Sequence, residues 1–124
     1  MASPQRKPER PALQTDDGTK KEPPDIFRAA REDDLNELER ALADGQSLDA
    51  AALDTHLTPV HVAAMRGSIN FLEAAMMYNP QTAWMQDGQQ RTPFDHAAAR
   101  QDRQSMAHLH NAMYPEMQVL IPDQ

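Results

Sequence analysis

The stretch Thr58-Pro59-Val60-His61-Val62-Ala63-Ala64 decides the fold, because it recurs 34 residues later as Thr92-Pro93-Phe94-Asp95-His96-Ala97-Ala98. The same offset taken backwards reaches Pro24-Asp25-Ile26-Phe27-Arg28-Ala29-Ala30, so that Ala-Ala pairs start at 29, 63 and 97. A fixed period of this size is typical of units that stack on one another and bury a shared core. The sequence therefore predicts three repeated units.

The recurring stretch predicts the first helix of each unit. Threonine is a favourable N-cap residue, and the proline that follows has no backbone N–H to satisfy in the first helical turn. Helices over about 59–66 and 93–100 are expected to begin after Thr58 and Thr92. The alanine pair within each helix leaves room for a second helix to approach closely.

The second helix of each unit is predicted from residues that keep the same register, with ends at about 43, 78 and 112. By register, the N-cap residues are Asp34, Ser68 and Asp102, the core residues are Leu38, Leu72 and Met106, and left-handed residues after the helices are Gly45 and Asn79. Such residue types favour these positions. Asp34 and Glu37 also have the spacing of a capping box.

Residues 45–57 and 79–91 are too long for a simple turn between helices. The pair Asp87-Gly88 supplies turn chemistry in the second of these segments. An extended finger that projects between successive units is the economical interpretation. The predicted fold class is therefore all-α, with three helix pairs and a finger between successive pairs.

With these residues in place, the sequence resembles the ankyrin-repeat family over about residues 25–114. The stretch 58–64, with Arg66-Gly67, is very similar to the family signature T-P-L-H-x-A-A-x-x-G. The resemblance implies a solenoid of units at about 25–57, 58–91 and 92–114, in which His61 bonds the Thr58 hydroxyl. It also implies that partners dock across the fingers and the concave ends of the first helices.

Several positions depart from the family pattern. Asp95 replaces the family's histidine, so the threonine-to-histidine bond of the second unit is expected to lack a counterpart in the third. His56 and Gln90 stand where a left-handed glycine is usual, so their turns are expected to differ. The first unit lacks the threonine, and the second helix of the third carries the polar residues Arg103, His108 and His110. Both end units are interpreted as caps with polar outer faces.

The ends of the chain lie outside the repeats. Residues 1–24 hold five of the ten prolines and all three lysines, and they are predicted to form a disordered arm. Residues 115–124 form a C-terminal tail. The sequence has neither an apolar run of about 18 residues nor the apolar core of a signal peptide, so the expected location is the cytoplasm.

Charge and composition exclude several classes of function. The 124 residues carry 12 basic and 19 acidic side chains, and the net charge of −7 opposes binding to nucleic acid or to an anionic membrane. Without cysteine, the chain has no disulfide, no thiolate metal cluster and no cysteine nucleophile. Neither a phosphate-binding glycine loop nor a nucleophile motif is present in the sequence, so catalysis and cofactors are not expected.

Histidines and acidic residues raise the question of a metal site. The best histidine set is His96, His108 and His110, but helical positions i and i+2 diverge by about 200°, whereas helical zinc pairs stand three or four residues apart. The carboxylates Glu32, Asp33, Asp34, Glu37 and Glu39 are interpreted as the ordinary response to a helix dipole. No metal is expected.

The predicted function is the binding of another protein by a non-catalytic adaptor or inhibitor, with no small-molecule substrate. Carried over by position from the family, the partner surface comprises Arg31, Glu32, Asp54, Thr55, Leu57, Met65, Arg66, Tyr78, Gly88, Gln89, Arg91, Ala99 and Arg100. Trp84 joins it as an apolar anchor, although packing against Pro80 or the third unit is an equal alternative. The competing hypothesis is a structural subunit of a larger assembly, held through the tails 1–24 and 115–124.

Overall fold

The computed structural model describes residues 22–122, and this part of the chain is helical, without strands. Within it, α-helices follow one another in three pairs. They are α1 (Ile26–Glu32) with α2 (Leu35–Ala43), α3 (Pro59–Arg66) with α4 (Ile69–Tyr78), and α5 (Pro93–Arg100) with α6 (Arg103–Met113). The all-α prediction is confirmed. None of these helices has the length and apolar character that crossing a membrane requires.

The helix pairs pack on one another in chain order. Helix α3 contacts α1 on one side and α5 on the other, while α4 contacts both α2 and α6. Large side chains such as Phe71 and Leu72 are fully buried, and so are the alanines of the pairs at 29, 63 and 97, except that Ala98 is only partly buried. The small alanines let the first helices pack closely, so the core is divided between alanine contacts and a few large apolar side chains.

Thr58 and Thr92 begin α3 and α5 as the sequence predicts. Their hydroxyls accept hydrogen bonds from the backbone N–H groups of His61 and Asp95, at 3.2 and 3.3 Å. In the third pair the Asp95 carboxylate also accepts from the Thr92 N–H at 2.9 Å, which completes a capping box. The bond from the threonine hydroxyl to the side chain, which joins Thr58 to His61 at 2.8 Å, has no counterpart between Thr92 and Asp95 within the described residues, as expected. The carboxylate replaces only the bond that the ring makes with the threonine N–H.

Left-handed residues repeat at the same spacing as the helices. Those that follow the first helix of each pair are Asp33 (φ 55°), Gly67 (φ 73°) and Gln101 (φ 57°). In the fingers, His56 and Gln90 adopt φ 60° and 62°, so the expectation that their turns depart from the glycine conformation is wrong. Asn79 has φ −155° and is not left-handed, because it leads directly into a 3₁₀ helix, Pro80–Trp84. The finger 79–91 is therefore extended only beyond residue 84.

The predicted caps of the second helices are only partly correct. Asp34 caps α2 by accepting from the Glu37 N–H, but the Glu37 side chain turns away to the Asp25 N–H, so no capping box forms. The Ser68 hydroxyl donates to the Ala30 carbonyl of α1 instead of capping α4. In α6 the capping Asp102 also accepts from the buried Ser105 hydroxyl at 2.7 Å. Contacts between elements therefore override two local capping patterns.

The last residues of the predicted N-terminal arm are bonded to the folded part of the chain. The carbonyls of Pro23 and Pro24 accept hydrogen bonds from Arg28 and Gln46, at 2.9 and 2.7 Å. The rest of the predicted disordered arm, residues 1–21, lies outside the described residues, as do residues 123–124.

Residues 115–122 lie along the outer side of α6, so they are not a separate tail. Asn111 bonds both backbone groups of Val119, at 2.7 and 2.9 Å, and Gln104 donates to the Pro122 carbonyl at 2.8 Å. Met106, predicted to be core, is only partly buried and lines a hollow beside this segment. Leu109 is the large apolar residue of α6 that is fully buried. The polar face interpreted as a solvent-facing cap therefore binds the chain's own C-terminal segment.

Candidate functional site

A groove of about 290 Å³ lies between the two fingers and the end of α3. The finger 45–57 supplies one wall and the finger 79–91 the other. The lining residues are Asp54, Thr55, Leu57, Met65, Asp87, Gly88, Gln89, Arg91 and His96. Leu57 and Met65 are partly exposed apolar side chains in this lining, and the remaining exposed residues are polar. The groove therefore combines apolar contact surface with a polar rim.

Direct backbone contact between the fingers sets the width of the groove. The Gly88 N–H donates to the Thr55 carbonyl at 2.8 Å. A Cβ atom at residue 88 would stand 3.0 Å from that same carbonyl oxygen, closer than ordinary packing allows. Glycine is thus required here for close approach of the two fingers.

The second finger ends in a turn built on the Asp87 carboxylate. Its Oδ1 accepts from the N–H groups of Gln89 and Arg91 at 2.8 and 3.0 Å, and the Asp87 N–H donates to the Arg91 carbonyl at 2.9 Å. An aspartate that bonds the backbone two residues ahead is a standard stabiliser of turns. The predicted turn at Asp87-Gly88 is present, and it places Gln89 and Arg91 on the rim.

A buried pair of ionisable side chains lies beneath the groove. The second Asp87 oxygen stands 2.8 Å from His96 Nε2, and the two side chains are 3% and 9% exposed. Burial by itself raises the pKa of Asp87, but hydrogen bonds from the Arg91 N–H, from His96 and from the Gln89 N–H outweigh burial and hold this pKa well below its ordinary value. Because the carboxylate is ionised, His96 Nε2 carries the proton and donates it.

His61 holds the same turn from α3. Its Nε2 lies 2.9 Å from the Arg91 carbonyl, and its Nδ1 lies 2.8 Å from the Thr58 hydroxyl and 3.2 Å from the Thr58 N–H. A carbonyl accepts and a backbone N–H donates, so the neutral ring with the proton on Nε2 satisfies both partners. Burial lowers the pKa of His61, and the bond to the Arg91 carbonyl offsets this only in part. The expected bond between His61 and Thr58 is present.

The groove gathers half of the predicted partner-binding residues. These are Asp54, Thr55, Leu57, Met65, Gln89 and Arg91, together with Gly88. The side chain of Arg91 also donates to that of Gln89 on the rim. Three elements supply the set: the first finger, the end of α3 and the second finger. Side chains from three separate parts of the chain therefore border one concave space.

The other predicted residues lie elsewhere. Arg31, Glu32 and Arg66 are exposed at the ends of α1 and α3, and Tyr78 is exposed at the end of α4. Arg100 donates to the Met65 carbonyl at 3.2 Å and lines a separate hollow with Gly67 and Pro122. Trp84 stacks edge-on against Tyr114 with 5.4 Å between ring centroids, yet it remains 45% exposed. Trp84 therefore packs against the third helix pair while part of its ring stays exposed, and it does not line the groove.

The pair beneath the groove was not recognised from the sequence. The sequence predicts a turn at Asp87 and presents His96 only as a candidate metal ligand, and neither pattern predicts contact between the two. The Asp-Gly dipeptide signals the turn, but the histidine that binds its second oxygen lies nine residues away in another helix. The repeat register does not predict the Asp87–His96 pair either, because the residue 34 positions before Asp87 is Leu53, which is 97% exposed.

An acidic cluster lies at the opposite end of the helix stack. Among residues 22–122, oxygens of Glu32, Asp34 and Glu37 come within 4.8 Å of one another. One Glu37 oxygen is buried without a hydrogen-bond partner, and so is Nε of Arg28. The other Glu37 oxygen already pairs with Arg28 at 2.5 Å and accepts from the Asp25 N–H at 2.9 Å, so the charge of the carboxylate is compensated. The unpaired oxygen therefore does not call for a cation.

The buried polar groups beside the groove are engaged in hydrogen bonds within the protein. Both Asp87 oxygens are occupied by the turn and by His96, and the Thr55 hydroxyl accepts from the Leu57 N–H at 3.3 Å. These groups hold the walls in position, and the exposed rim offers donors and acceptors.

No known family model matches the chain, and no curated protein matches it.

Proposed function

We propose that this chain is a short ankyrin-type stack that binds another protein in the groove and has no chemistry of its own. The observation that carries the proposal is the convergence of six candidate partner-binding residues on one concave space. Those residues come from the first finger, the end of α3 and the second finger. In this proposal the protein is a cytoplasmic adaptor or inhibitor that needs no cofactor or metal.

The ankyrin-type assignment is supported by recurrence at 34 residues. Threonine caps, prolines in the first turn and alanine pairs recur in α3 and α5, and left-handed residues recur after all three first helices. The bond between Thr58 and His61 is the one that the family signature implies. The backbone hydrogen bond between the two fingers also supports a stack of units, because pairing of helices within one unit does not by itself bring the fingers together.

The shape and chemistry of the groove favour a protein segment as the ligand. Its volume of about 290 Å³ is at the lower limit of small-molecule sites. Leu57 and Met65 offer apolar contact, while Asp54, Gln89 and Arg91 stand exposed around them. An apolar centre with a polar rim is the usual anatomy of a protein interface. The groove fits one large apolar side chain from a partner loop, with hydrogen bonds around it.

Site-specific photo-crosslinking tests where the partner binds. A photoreactive residue at Gln89, on the groove rim, is expected to capture the partner in host cells. The matched control places the same residue at Arg40, an exposed residue of α2. Capture of one protein from position 89 and not from 40 supports the proposal. Equal capture from both positions, or from 40 alone, contradicts it.

Substitutions then test the energetics of binding. Met65→Ala removes an apolar contact and is expected to speed dissociation of the captured partner, whereas Arg91→Glu and Arg66→Glu are expected to slow association. Arg40→Glu should change neither rate. Circular dichroism of each variant separates lost binding from lost folding.

The structural-subunit alternative is favoured by one observation, the bonding of residues 115–122 along α6. Deletion of residues 115–124 distinguishes the two functions. If the deletion abolishes partner capture while the groove variants leave it intact, the C-terminal segment holds the partner and the subunit hypothesis replaces the groove.

A further inference from the structure

The C-terminal segment is bound to α6 through the backbone groups of alternate residues and through the Gln118 side chain, which donates to the Asn111 carbonyl at 3.0 Å. The Met117 carbonyl lies 2.8 Å from His110 Nε2, and the N–H and C=O of Val119 bond the Asn111 side chain at 2.7 and 2.9 Å. In an extended chain the two backbone groups of one residue point to the same side, and those of its neighbours point to the opposite side. The backbone groups of residues 117 and 119 therefore face the helix, and those of residues 118 and 120 point away from it, while the Gln118 side chain reaches back to α6.

The side that faces away is an unpaired backbone edge, in a segment that itself forms no strand. Within residues 22–122, the backbone groups of Gln118 and Leu120 have no hydrogen-bond partner, and Leu120 is 94% exposed. Met117 and Val119 are 65% and 44% exposed. Unpaired backbone edges with apolar side chains are templates for pairing with another strand. Pro115 and Pro122 limit the length over which such pairing can extend.

We propose that this edge pairs with the same edge of a second copy of the chain, as an antiparallel two-strand ribbon with twofold symmetry. The outward residues determine the register. Gln118 of each copy pairs with Leu120 of the other through both backbone groups, and Val119 faces Val119 across the symmetry axis. Twofold pairing of one edge with itself closes the interface at two chains. This interface is separate from the groove of the proposed function.

Charge complementarity supports a second copy as the occupant. The register brings Glu116 of one chain to Pro122 of the other, and exposed Arg103 lines the same hollow as Pro122. An ion pair between Glu116 and Arg103 therefore forms twice, once at each end of the ribbon. Residues 117–122 contain no charged side chain, so no like charges face each other between these ends.

The apolar surface beside the segment would extend the contact. Trp84 and Tyr114 are 45% and 42% exposed and stack edge-on against each other, and the Tyr114 carbonyl accepts from the Met117 N–H. This pair lies next to the start of the segment. A ribbon of this length is small, so we expect a weak dimer that forms reversibly with concentration.

Cysteine crosslinking of the full chain tests the register, because the natural sequence has no other thiol. Val119→Cys places two thiols opposite each other across the axis, at Cα distances of about 4.5 Å that a disulfide spans. Leu120→Cys is the matched control, since in this register the two thiols lie about two residues apart along the strands. With oxidised glutathione, we expect Val119→Cys to form dimers about tenfold faster than Leu120→Cys. Equal rates, or faster crosslinking at 120, overturn the register.

Charge exchange tests the association without a disulfide. Sedimentation of the unmodified chain up to about 1 mM is expected to show a monomer–dimer equilibrium. Glu116→Arg or Arg103→Glu alone should weaken it about fivefold, and the double variant should restore it. Leu53→Asp, at an equally exposed leucine of the first finger, should have no effect. A strictly monomeric natural chain, or a double variant no better than the single ones, overturns the proposal.

Discussion

The ring of His61 stands edge-on to the ring of His96, with 5.7 Å between their centroids. Each histidine holds one end of the same turn, since His61 binds the Arg91 carbonyl and His96 binds the Asp87 carboxylate. One ring belongs to α3 and the other to α5. The position of the second groove wall is therefore set jointly by two helix pairs, and changes at either ring should reach the groove.

Replacing the Asp87 carboxylate should destabilise the fold. Asp87→Asn keeps an oxygen for the backbone of the turn but removes the charge that strengthens the bond to His96. We expect a loss of about 2 kcal/mol in the free energy of unfolding, measured by urea titration at pH 7. Asp54→Asn, at an exposed carboxylate of the groove rim, should change it by less than about 0.5 kcal/mol. Equal effects of the two substitutions would show that the Asp87–His96 pair contributes no more to stability than an exposed carboxylate does.

Mild acid should weaken the fold through His61. Because the folded state lowers the pKa of His61 below its ordinary value of 6.5, the unfolded chain takes up this proton more readily. The stabilisation is complete above pH 6.5 and falls as the pH drops below it. Urea titrations at pH 7.5, 6.0 and 5.0 should show a steady fall for the natural chain and a smaller fall for His61→Asn. Parallel pH profiles of the two proteins would contradict this assignment.

Asp87 adds a second acid-sensitive step at lower pH. Its pKa in the folded state lies below the ordinary value of 3.8, so its stabilisation persists at pH 5 and is lost only as the pH falls below 3.8. The Asp87→Asn variant should therefore lose less stability than the natural chain between pH 4 and pH 2.

Gly88→Ala should push the two fingers apart. The new Cβ would meet the Thr55 carbonyl at 3.0 Å, and a backbone atom cannot rotate away as a side chain can. We expect a cost of about 1–2 kcal/mol in unfolding free energy, together with weaker partner capture. Gln89→Ala, at the exposed neighbouring residue, serves as the control and should leave stability unchanged. A Gly88→Ala protein as stable as the natural one would mean that the fingers can separate at no cost.

Replacing the buried Glu37 alone should lower the free energy of unfolding more than replacing Glu37 and Arg28 together. Its carboxylate accepts from the Asp25 N–H at 2.9 Å and pairs with Arg28. Glu37→Met should lose about 3 kcal/mol because it leaves the Arg28 charge without its partner. The double variant Arg28→Met, Glu37→Met should recover part of this loss in urea titration. A double variant less stable than Glu37→Met would show that the charges stabilise the fold independently.

The helix starts were predictable because their signals are local. Thr58-Pro59 and Thr92-Pro93 carry both the cap and the proline within two residues, and α3 and α5 begin where these pairs predict. The turn at Asp87-Gly88 was predictable for the same reason. In each case the backbone groups that need partners lie within four residues of the side chain that satisfies them.

Features that depend on distant partners were not predictable. Glu37 has the spacing of a capping box, but the Asp25 N–H and Arg28 compete for its carboxylate and prevail. Ser68 likewise leaves its own helix for the Ala30 carbonyl of α1. For the groove, register identified residues on the two fingers, whereas the Asp87–His96 pair required the packing of the second finger against α5.

One register position also determines how the stack could change in length. The equivalent residues of the three pairs, Glu37, Phe71 and Ser105, are all buried, yet one is acidic, one aromatic and one a small polar residue. Only Phe71 offers apolar surface there, while Glu37 and Ser105 are committed to polar partners within their own pairs. Duplication of residues 58–91 therefore repeats an apolar residue at this position, whereas a copied first or third unit would place a polar side chain, together with its partner, where the interior of the array has Phe71. The middle unit is the one from which longer arrays of this protein can be grown.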